Sequence, residues 1–201
     1  MRQELTSMLN RVEICGNIAS GKTTLCQVLS KRKFLPIFED FQTNPFFEDF
    51  YNDPIAYSFE TEITFLLQHY HQIKKNKINT PILCDYSLLL DMAYADVNLS
   101  GNRLKVFFDV VEELQHEIGL PERIIHLVCP ENVLLQRIID RNREAETSIT
   151  IDYLKALSKA ISARIKNISK QTLVTTIDSH AINFTSGIGG IGNFDFDDLT
   201  S

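Results

Sequence analysis

The chain lacks the features of a membrane protein, a secreted disulfide framework or a zinc protein. No apolar run approaches the roughly 20 residues that span a bilayer, and residues 1–10 form a polar lead-in without the apolar core of a signal peptide. No two of its four cysteines form a C-x-x-C pair. We therefore expect reduced, mostly buried thiols, no contact with a membrane, and a cytoplasmic protein.

Positive charge and glycine are also scarce. The 26 acidic residues outnumber the 20 basic ones and give a net charge of −6, which argues against nucleic-acid binding because such binding needs a basic face. An anionic ligand must therefore be met by a local cationic cluster. Half of the 8 glycines fall within residues 185–201, which we interpret as a flexible, acidic tail. Residues 11–184 are long enough for one domain with a full core.

The remaining glycines include a phosphate-binding loop. Residues 16–23 fit G-x-x-x-x-G-K-[ST], between a strand-like run and an amphipathic helical run. Gly16 and Gly21 permit turns that a Cβ would obstruct, and the loop N–H groups converge on a phosphate at the positive end of the helix. Lys22 supplies charge for the β- and γ-phosphates, and the Thr23 hydroxyl is the expected Mg²⁺ ligand. The predicted ATP-binding residues are Gly16, Asn17, Ile18, Ala19, Ser20, Gly21, Lys22, Thr23 and Thr24.

Short apolar runs alternate with helical patterns along the chain. The predicted strands are 11–15, 34–38, 81–84, 124–130 and 173–178. The predicted helices follow the phosphate loop and cover 55–75, 87–117 with a break near 98–102, 131–142 and 152–169. This order predicts an α/β fold with a five-stranded parallel sheet flanked by helices and right-handed crossovers. Ligands of such a sheet gather at the carboxyl ends of its strands.

Acidic residues follow two of the predicted strands. Glu39 comes after strand 34–38 and either points into the ligand crevice or belongs to a solvated pair with Asp40. Asp85 follows strand 81–84, and a carboxylate in this position opposite a phosphate loop can hold Mg²⁺ or one of its waters. Both are therefore candidate site residues.

Arginines and aromatic residues form two further clusters. Arg137 and Arg141 share a helical face and Arg143 follows, which predicts an anion site, with a solvated basic face as the alternative. Several aromatic residues fall in the stretch 41–54, which its prolines predict to be irregular. They form either a pocket wall for a flat ligand or a cover for the core; they are Phe41, Phe46, Phe47, Phe50 and Tyr51.

In this order the motifs resemble the deoxynucleoside kinase family over residues 11–180. The resemblance rests on the loop, on Glu39 with the Pro-Phe-Phe that follows it, on the segment around Tyr51, and on the arginine run 137–146. It implies a P-loop kinase fold with an arginine lid, ATP and Mg²⁺ as cofactors, a deoxynucleoside substrate, and a homodimer formed by the two long helices.

The resemblance also implies roles for individual residues. Glu39 would accept the proton of the 5′-hydroxyl, which attacks the γ-phosphoryl group of ATP. The catalytic set would be Glu39, Lys22, Arg137, Arg141 and Arg143; the substrate-binding set Glu39, Tyr51, Glu62, Asp85, Asp91 and Glu146; and the metal ligands Thr23 and Asp85. Tyr51 and Glu146 would contact the sugar. Asp91 would read an amino-bearing base, which favours deoxyadenosine over thymidine.

Two positions depart from the family pattern. Tyr86, between Asp85 and a serine, stands where the family has an arginine, and it cannot carry that charge. Glu62 falls where the family has a glutamine, and an ionised glutamate offers only acceptors. A buried unpaired carboxylate is costly, so Glu62 must be protonated, paired or reading a base with two donors. His69, on the same helix, is expected to face the same pocket.

These departures permit two other functions. A kinase of a nucleoside monophosphate would need a second basic phosphate site, which residues 39–62 do not supply. A non-catalytic nucleotide-binding protein is the other alternative, and the missing arginine at Tyr86 favours it.

Overall fold

The five strands form one parallel sheet, as predicted. The computed structural model describes residues 11–31, 34–76 and 80–184. The strands are β1 (Arg11–Gly16), β2 (Leu35–Ile37), β3 (Ile82–Cys84), β4 (Arg123–Val128) and β5 (Leu173–Asp178). Their order in the sheet is β2-β3-β1-β4-β5. Strand β1 is therefore central, and it is buried along its whole length. The phosphate loop therefore leaves the sheet at its middle.

Helices connect the strands. They are α1 (Lys22–Leu29), α2 (Phe47–Asn52), α3 (Pro54–Lys75), α4 (Leu88–Asn98), α5 (Gly101–Ile118), α6 (Glu131–Arg141) and α7 (Ile151–Ile168), with short 3-10 helices at Phe41–Thr43 and Glu144–Ser148. The predicted break near 98–102 is the junction of α4 and α5. Ser87 caps α4 by accepting from Leu89 N–H, which fixes the start of this helix directly after β3.

The stretch 41–54 is more regular than predicted, because it contains a 3-10 helix and α2. Glu48 and Asp49 lie in the first turn of α2, where negative charge favours a helix. Asp53 then caps α3 by accepting from Ala56 N–H, and Pro54 begins that helix. The proline that suggested irregular structure thus marks a helix start.

Helix α3 forms as predicted, and its buried face carries polar residues beside part of its apolar stripe. The stripe predicted from the sequence is Ala56, Phe59, Ile63, Leu66, Leu67 and Tyr70, whereas the buried residues are Ser58, Thr61, Glu62, Leu66, His69 and Ile73. Leu67 is 45% exposed. Of the buried polar residues, Thr61 and Glu62 border a cavity, and His69 is paired with Asp91.

The other predictions about single residues concern cysteine and histidine. All four cysteines are free, with Cys15, Cys26 and Cys84 buried and Cys129 half-buried. His126 is a buried residue of β4, and burial lowers its pKa. Within 11–31, 34–76 and 80–184, no helix is both long enough and apolar enough to cross a membrane. The predicted lead-in and tail lie outside the described residues.

Candidate active site

The phosphate loop leaves β1 through a glycine that has no room for a side chain. A Cβ on Gly16 would lie 2.6 Å from Ser20 Oγ and 2.9 Å from the carbonyl oxygen of Leu127. Gly21 precedes α1 with a φ of +97°, a left-handed conformation that favours glycine. These two constraints wrap the loop around the N-terminal end of α1, where N–H groups and the helix dipole favour an anion.

Asn17 anchors the phosphate loop to helix α7. Its Nδ2 donates to the carbonyl oxygen of Leu154 and to Ser158 Oγ, both at 2.8 Å, and its Oδ1 accepts from Ile18 N–H at 2.7 Å. The first two partners lie on α7. This anchoring role was not predicted, because nothing in the local sequence indicates a contact with a residue more than a hundred positions away.

Lys22 folds back over the loop. Its Nζ donates to the carbonyl oxygens of Gly16 at 3.0 Å and Asn17 at 3.2 Å. Burial lowers the pKa of Lys22, while the nearby carboxylate of Glu39 opposes that shift. The ammonium group is therefore held within the loop by main-chain carbonyl oxygens. The oxygens of a phosphate bound in the loop can replace these acceptors.

The loop opens onto a cavity of about 430 Å³. The predicted site residues that line it are Ile18, Ala19, Ser20, Gly21, Lys22, Thr23, Thr24, Glu39, Tyr51, Glu62, Asp91, Arg137, Arg141, Arg143 and Glu146. Gly16, Asn17 and Asp85 are not among the lining residues, and Asn17 and Asp85 are buried. Segments far apart in the sequence thus converge on one cavity.

Aromatic side chains form one wall of this cavity. Phe41, Phe47, Phe50 and Tyr51 line it, so the pocket-wall alternative describes their placement; Phe46 is not among the lining residues. The Phe47 ring meets Tyr51 edge-on, with centroids 5.2 Å apart. Four further lining residues were missed, namely Thr61, Phe65, Leu90 and Tyr94. Helical spacing could have found two of these, since Phe65 and Tyr94 lie three positions after Glu62 and Asp91.

The three arginines of the predicted lid differ in their bonding. Arg141 donates from Nε to Glu146 Oε2 at 2.7 Å, and Arg143 Nη1 lies 3.3 Å from Glu146 Oε1. Arg137 instead donates to the carbonyl oxygens of Ala19 at 3.3 Å and Ser179 at 2.8 Å, and so supports the loop backbone. Glu146 is buried and balances the charge of the other two arginines.

Thr23, Asp85 and Glu39 meet at the end of β3. The Asp85 carboxylate accepts a hydrogen bond from Glu39 N–H at 2.6 Å and another from the Thr23 hydroxyl. Burial raises the pKa of Asp85, and these two hydrogen bonds oppose the shift. Among the described residues no three or more acidic, histidine or cysteine side chains cluster as metal ligands. Magnesium commonly takes one or two protein oxygens plus substrate phosphates, which Thr23 and Asp85 fit.

Glu39 lies beside a buried histidine. Its Oε1 is 3.4 Å from His69 Nε2, and His69 Nδ1 lies 3.0 and 2.9 Å from the two carboxylate oxygens of Asp91. Burial disfavours the imidazolium, but Asp91 and Glu39 together raise the pKa of His69 to about 10. Burial likewise raises the pKa of Glu39, but the neighbouring His69 imidazolium outweighs it, so the net shift is downward.

The residues expected to read the base have protein partners. Asp91 is bound to His69, and Glu62 accepts from Asn98 Nδ2 at 2.7 Å. Of the three possibilities for Glu62, pairing is thus present. Burial also raises its pKa to about 8, so the neutral form prevails at pH 7. Tyr86 is buried behind the cavity, and His69 lies behind Glu39 and is not a lining residue, contrary to the expectation that it faces the pocket.

The sheet and its loop define a P-loop kinase fold. The family model for deoxynucleoside kinase matches residues 12–188. The chain therefore belongs to the deoxynucleoside kinase family.

Individual relatives agree with this assignment. The chain is 28% identical over 182 residues to a deoxyguanosine kinase of Bacillus subtilis, covering 86% of this chain and 88% of that one. It is also 28% identical over 174 residues to a deoxyadenosine kinase of Dictyostelium discoideum, covering 83% and 71%. Among solved structures, deoxyadenosine kinase from M. mycoides with bound dATP superposes with a TM-score of 0.80 at 23% identity, covering 95% of this chain and 100% of that one. This last similarity concerns the fold.

Proposed function

We propose that the protein transfers the γ-phosphoryl group of ATP to the 5′-hydroxyl of a deoxynucleoside. The observation that carries this proposal is that Glu39 and the phosphate loop with Lys22 face one cavity of about 430 Å³. An acceptor alcohol and a triphosphate can therefore meet there without water between them. Membership of the family and the names of the relatives support the same reaction.

Glu39 is the general base of the proposed reaction. Its carboxylate is ionised at neutral pH, since the ordinary pKa of 4.5 lies below 7 and the shift is downward, so it can accept the proton of the 5′-hydroxyl. The 5′-oxygen then bonds to the γ-phosphorus, the bond to the β–γ bridging oxygen breaks, and ADP leaves with that electron pair. The products are ADP and the deoxynucleoside 5′-monophosphate. Positioning and charge stabilisation supply most of the catalysis of such a transfer.

Positive groups surround the proposed phosphate position. The loop N–H groups and Lys22 hold the β- and γ-phosphates. When ATP binds, Arg141 and Arg143 release Glu146 and donate to phosphate oxygens instead. Glu146 is then free to contact the sugar, as Tyr51 does. Thr23 and Asp85 would hold Mg²⁺, which offsets the negative charge of the phosphates.

The proposed base site lies between Phe65 on α3 and the cavity residues of α4. Glu62 is its polar group, because His69 contacts both carboxylate oxygens of Asp91, whereas Asn98 contacts only Oε1 of Glu62. A neutral glutamic acid resembles glutamine in having both a donor and an acceptor. Adenine presents an acceptor at N1 beside the donor amino group at N6, so we propose deoxyadenosine as the preferred substrate.

A steady-state assay tests this function against its alternatives. ATP, Mg²⁺ and each of the four deoxynucleosides are incubated with the protein, and the monophosphate product is measured, with dAMP as a further acceptor. Turnover of deoxyadenosine supports the proposal. Turnover of dAMP alone would identify a monophosphate kinase, and ATP binding without turnover of any acceptor would identify a non-catalytic relative.

We further propose a cytoplasmic homodimer formed through α3 and the helices that follow β3. Exposed apolar side chains support this proposal, namely Ile55 (89% exposed), Leu67 (45%) and Val106 (38%). The molar mass in solution, measured by light scattering for the wild type and for Val106→Asp, tests it. A monomeric wild type would contradict the dimer.

A further inference from the structure

His69 connects helix α3 to the proposed base without contacting the cavity. Its Nε2 is buried and has no hydrogen-bond partner within the part of the chain that the structure describes. The atom lies 3.4 Å from Glu39 Oε1, slightly too far for a good hydrogen bond. A buried N–H left in this state is costly, and the carboxylate is the acceptor that can satisfy it.

The histidine ring is fixed on every side. It stacks on the ring of Tyr86, with centroids 3.9 Å apart and an interplanar angle of 9°. The ring of Phe65 is also stacked against it, with centroids 5.8 Å apart and an interplanar angle of 28°. Nδ1 lies within 3.0 Å of both Asp91 oxygens. The ring therefore cannot turn without breaking these contacts, and the direction of Nε2 is set by β3 and α4.

The surrounding groups also set the charge of the ring. Asp91 from α4 faces Nδ1, and Glu39, which follows β2, faces Nε2. The ring of Tyr86 stacks on the imidazole. Glu62, on the same helix as His69, is close enough to interact with the charge of the ring. A buried carboxylate such as Asp91 requires a paired cation. The protonated imidazole satisfies that requirement, and both of its nitrogens then act as donors.

We propose that His69 is a positioning residue for phosphoryl transfer, in which the Asp91-bound imidazolium holds Glu39 Oε1 so that Oε2 faces the 5′-hydroxyl. This inference rests on the proposed function. The 3.4 Å separation shortens when the deoxynucleoside binds, since catalytic hydrogen bonds tighten in the substrate complex. The alternative is a purely structural ion pair that joins α3 to α4.

A double-mutant cycle separates the two roles. We expect His69→Gln to lower kcat by roughly 10- to 100-fold, with the KM values for ATP and deoxynucleoside changed by less than about threefold, because it disturbs a general base worth about 10²–10⁴-fold. In a Glu39→Gln background the same change should have no further effect on the residual rate, since His69 acts through Glu39. His71→Gln, an exposed histidine on the same helix, is the matched control and should match the wild type.

Additive losses in the double variant, or a wild-type kcat for His69→Gln, would overturn the inference. If His69→Gln fails to fold, Asp91→Asn provides the same test, because it removes the partner of Nδ1 and should lower kcat with the same dependence on Glu39. Full turnover by Glu39→Gln would instead defeat the general-base assignment of the proposed function, so the two failures are distinguishable.

Discussion

The ring of Tyr86 lies parallel to that of His69, with centroids 3.9 Å apart and planes at 9°. Tyr86 occupies the position at which the family pattern noted from the sequence has an arginine, and it is 1% exposed. Position 86 therefore supplies no cation near Glu39, whereas His69 of helix α3 places one 3.4 Å from its Oε1. An aromatic ring at this position favours a protonated His69, because the face of the ring attracts a stacked cation.

The substitution Tyr86→Arg should destabilise the protein. It would bury a second cation against a protonated His69 in place of a stacked ring, and unpaired buried charge is strongly unfavourable. We expect a loss of at least about 2 kcal/mol, or roughly 4–8 °C in Tm for a chain of this size, measured by thermal unfolding.

Tyr86→Phe is the matched control. It keeps the stack and removes a hydroxyl whose hydrogen bond to the carbonyl oxygen of His69 is long, at 3.5 Å. Its Tm should stay near that of the wild type. A Tyr86→Arg variant with unchanged Tm and a higher rate would contradict this account and would mean that the departure from the family pattern costs activity.

The substrate preference should depend on pH through Glu62. Its pKa is raised to about 8, so the neutral form, which donates to adenine N1, gives way to the anion above that pH. The anion accepts from two donors, which guanine offers at N1 and N2. The ratio of kcat/KM for deoxyadenosine to that for deoxyguanosine should therefore fall as pH rises from 6.5 to 9.

Glu62→Gln is the control for that preference, because a neutral amide keeps its donor at every pH. Its ratio should be independent of pH, and a parallel decline in both proteins would assign the effect to another group.

The raised pKa of Glu62 also makes the stability of the protein depend on pH. The folded pKa of about 8 lies above the ordinary 4.5, so the contribution of Glu62 is fully present below about pH 4.5 and is lost as pH rises through 8. At pH 9 the Glu62→Gln variant should be the more stable protein.

The lid arginines should separate into two classes. Arg137→Ala removes two hydrogen bonds to main-chain oxygens, so it should cost roughly 1–3 kcal/mol of stability in addition to activity. Arg143 has a side chain that is 44% exposed and paired with Glu146, so Arg143→Ala should change stability by less than about 1 kcal/mol while raising the KM for ATP. Unfolding curves and ATP kinetics on both variants check this, and equal stability losses would refute the distinction.

Lys22→Ala should abolish phosphoryl transfer without unfolding the chain. Burial lowers the pKa of Lys22, which means that its charge is not stabilised by the free protein, whereas the transferring phosphoryl group needs it. We expect turnover to fall below detection and Tm to be unchanged or slightly higher. Lys155→Ala, an exposed lysine paired at 3.4 Å with Asp152, should behave as the wild type in both measurements.

The sequence predicted the sheet and the convergence of site segments for clear physical reasons. Buried parallel strands are short apolar runs, and their carboxyl ends meet at one edge, so Glu39 and Asp85 had to approach the loop. The contact of His69 with Glu39 could not be predicted, because it joins polar residues thirty positions apart whose spacing follows no local pattern. The hydrogen bond from Arg137 to Ala19 is of the same kind. Apolar periodicity predicted helix α3 but gave no sign of Glu62 and His69, the polar residues that its buried face carries.

The central claim is that Glu39 activates the deoxynucleoside hydroxyl for attack on ATP. The most direct test measures kcat and KM of the wild type and of Glu39→Gln with deoxyadenosine, ATP and Mg²⁺. We predict that the variant loses about 10²–10⁴-fold in kcat while the KM for deoxyadenosine stays within a few-fold of the wild-type value. Full turnover by Glu39→Gln would contradict the claim.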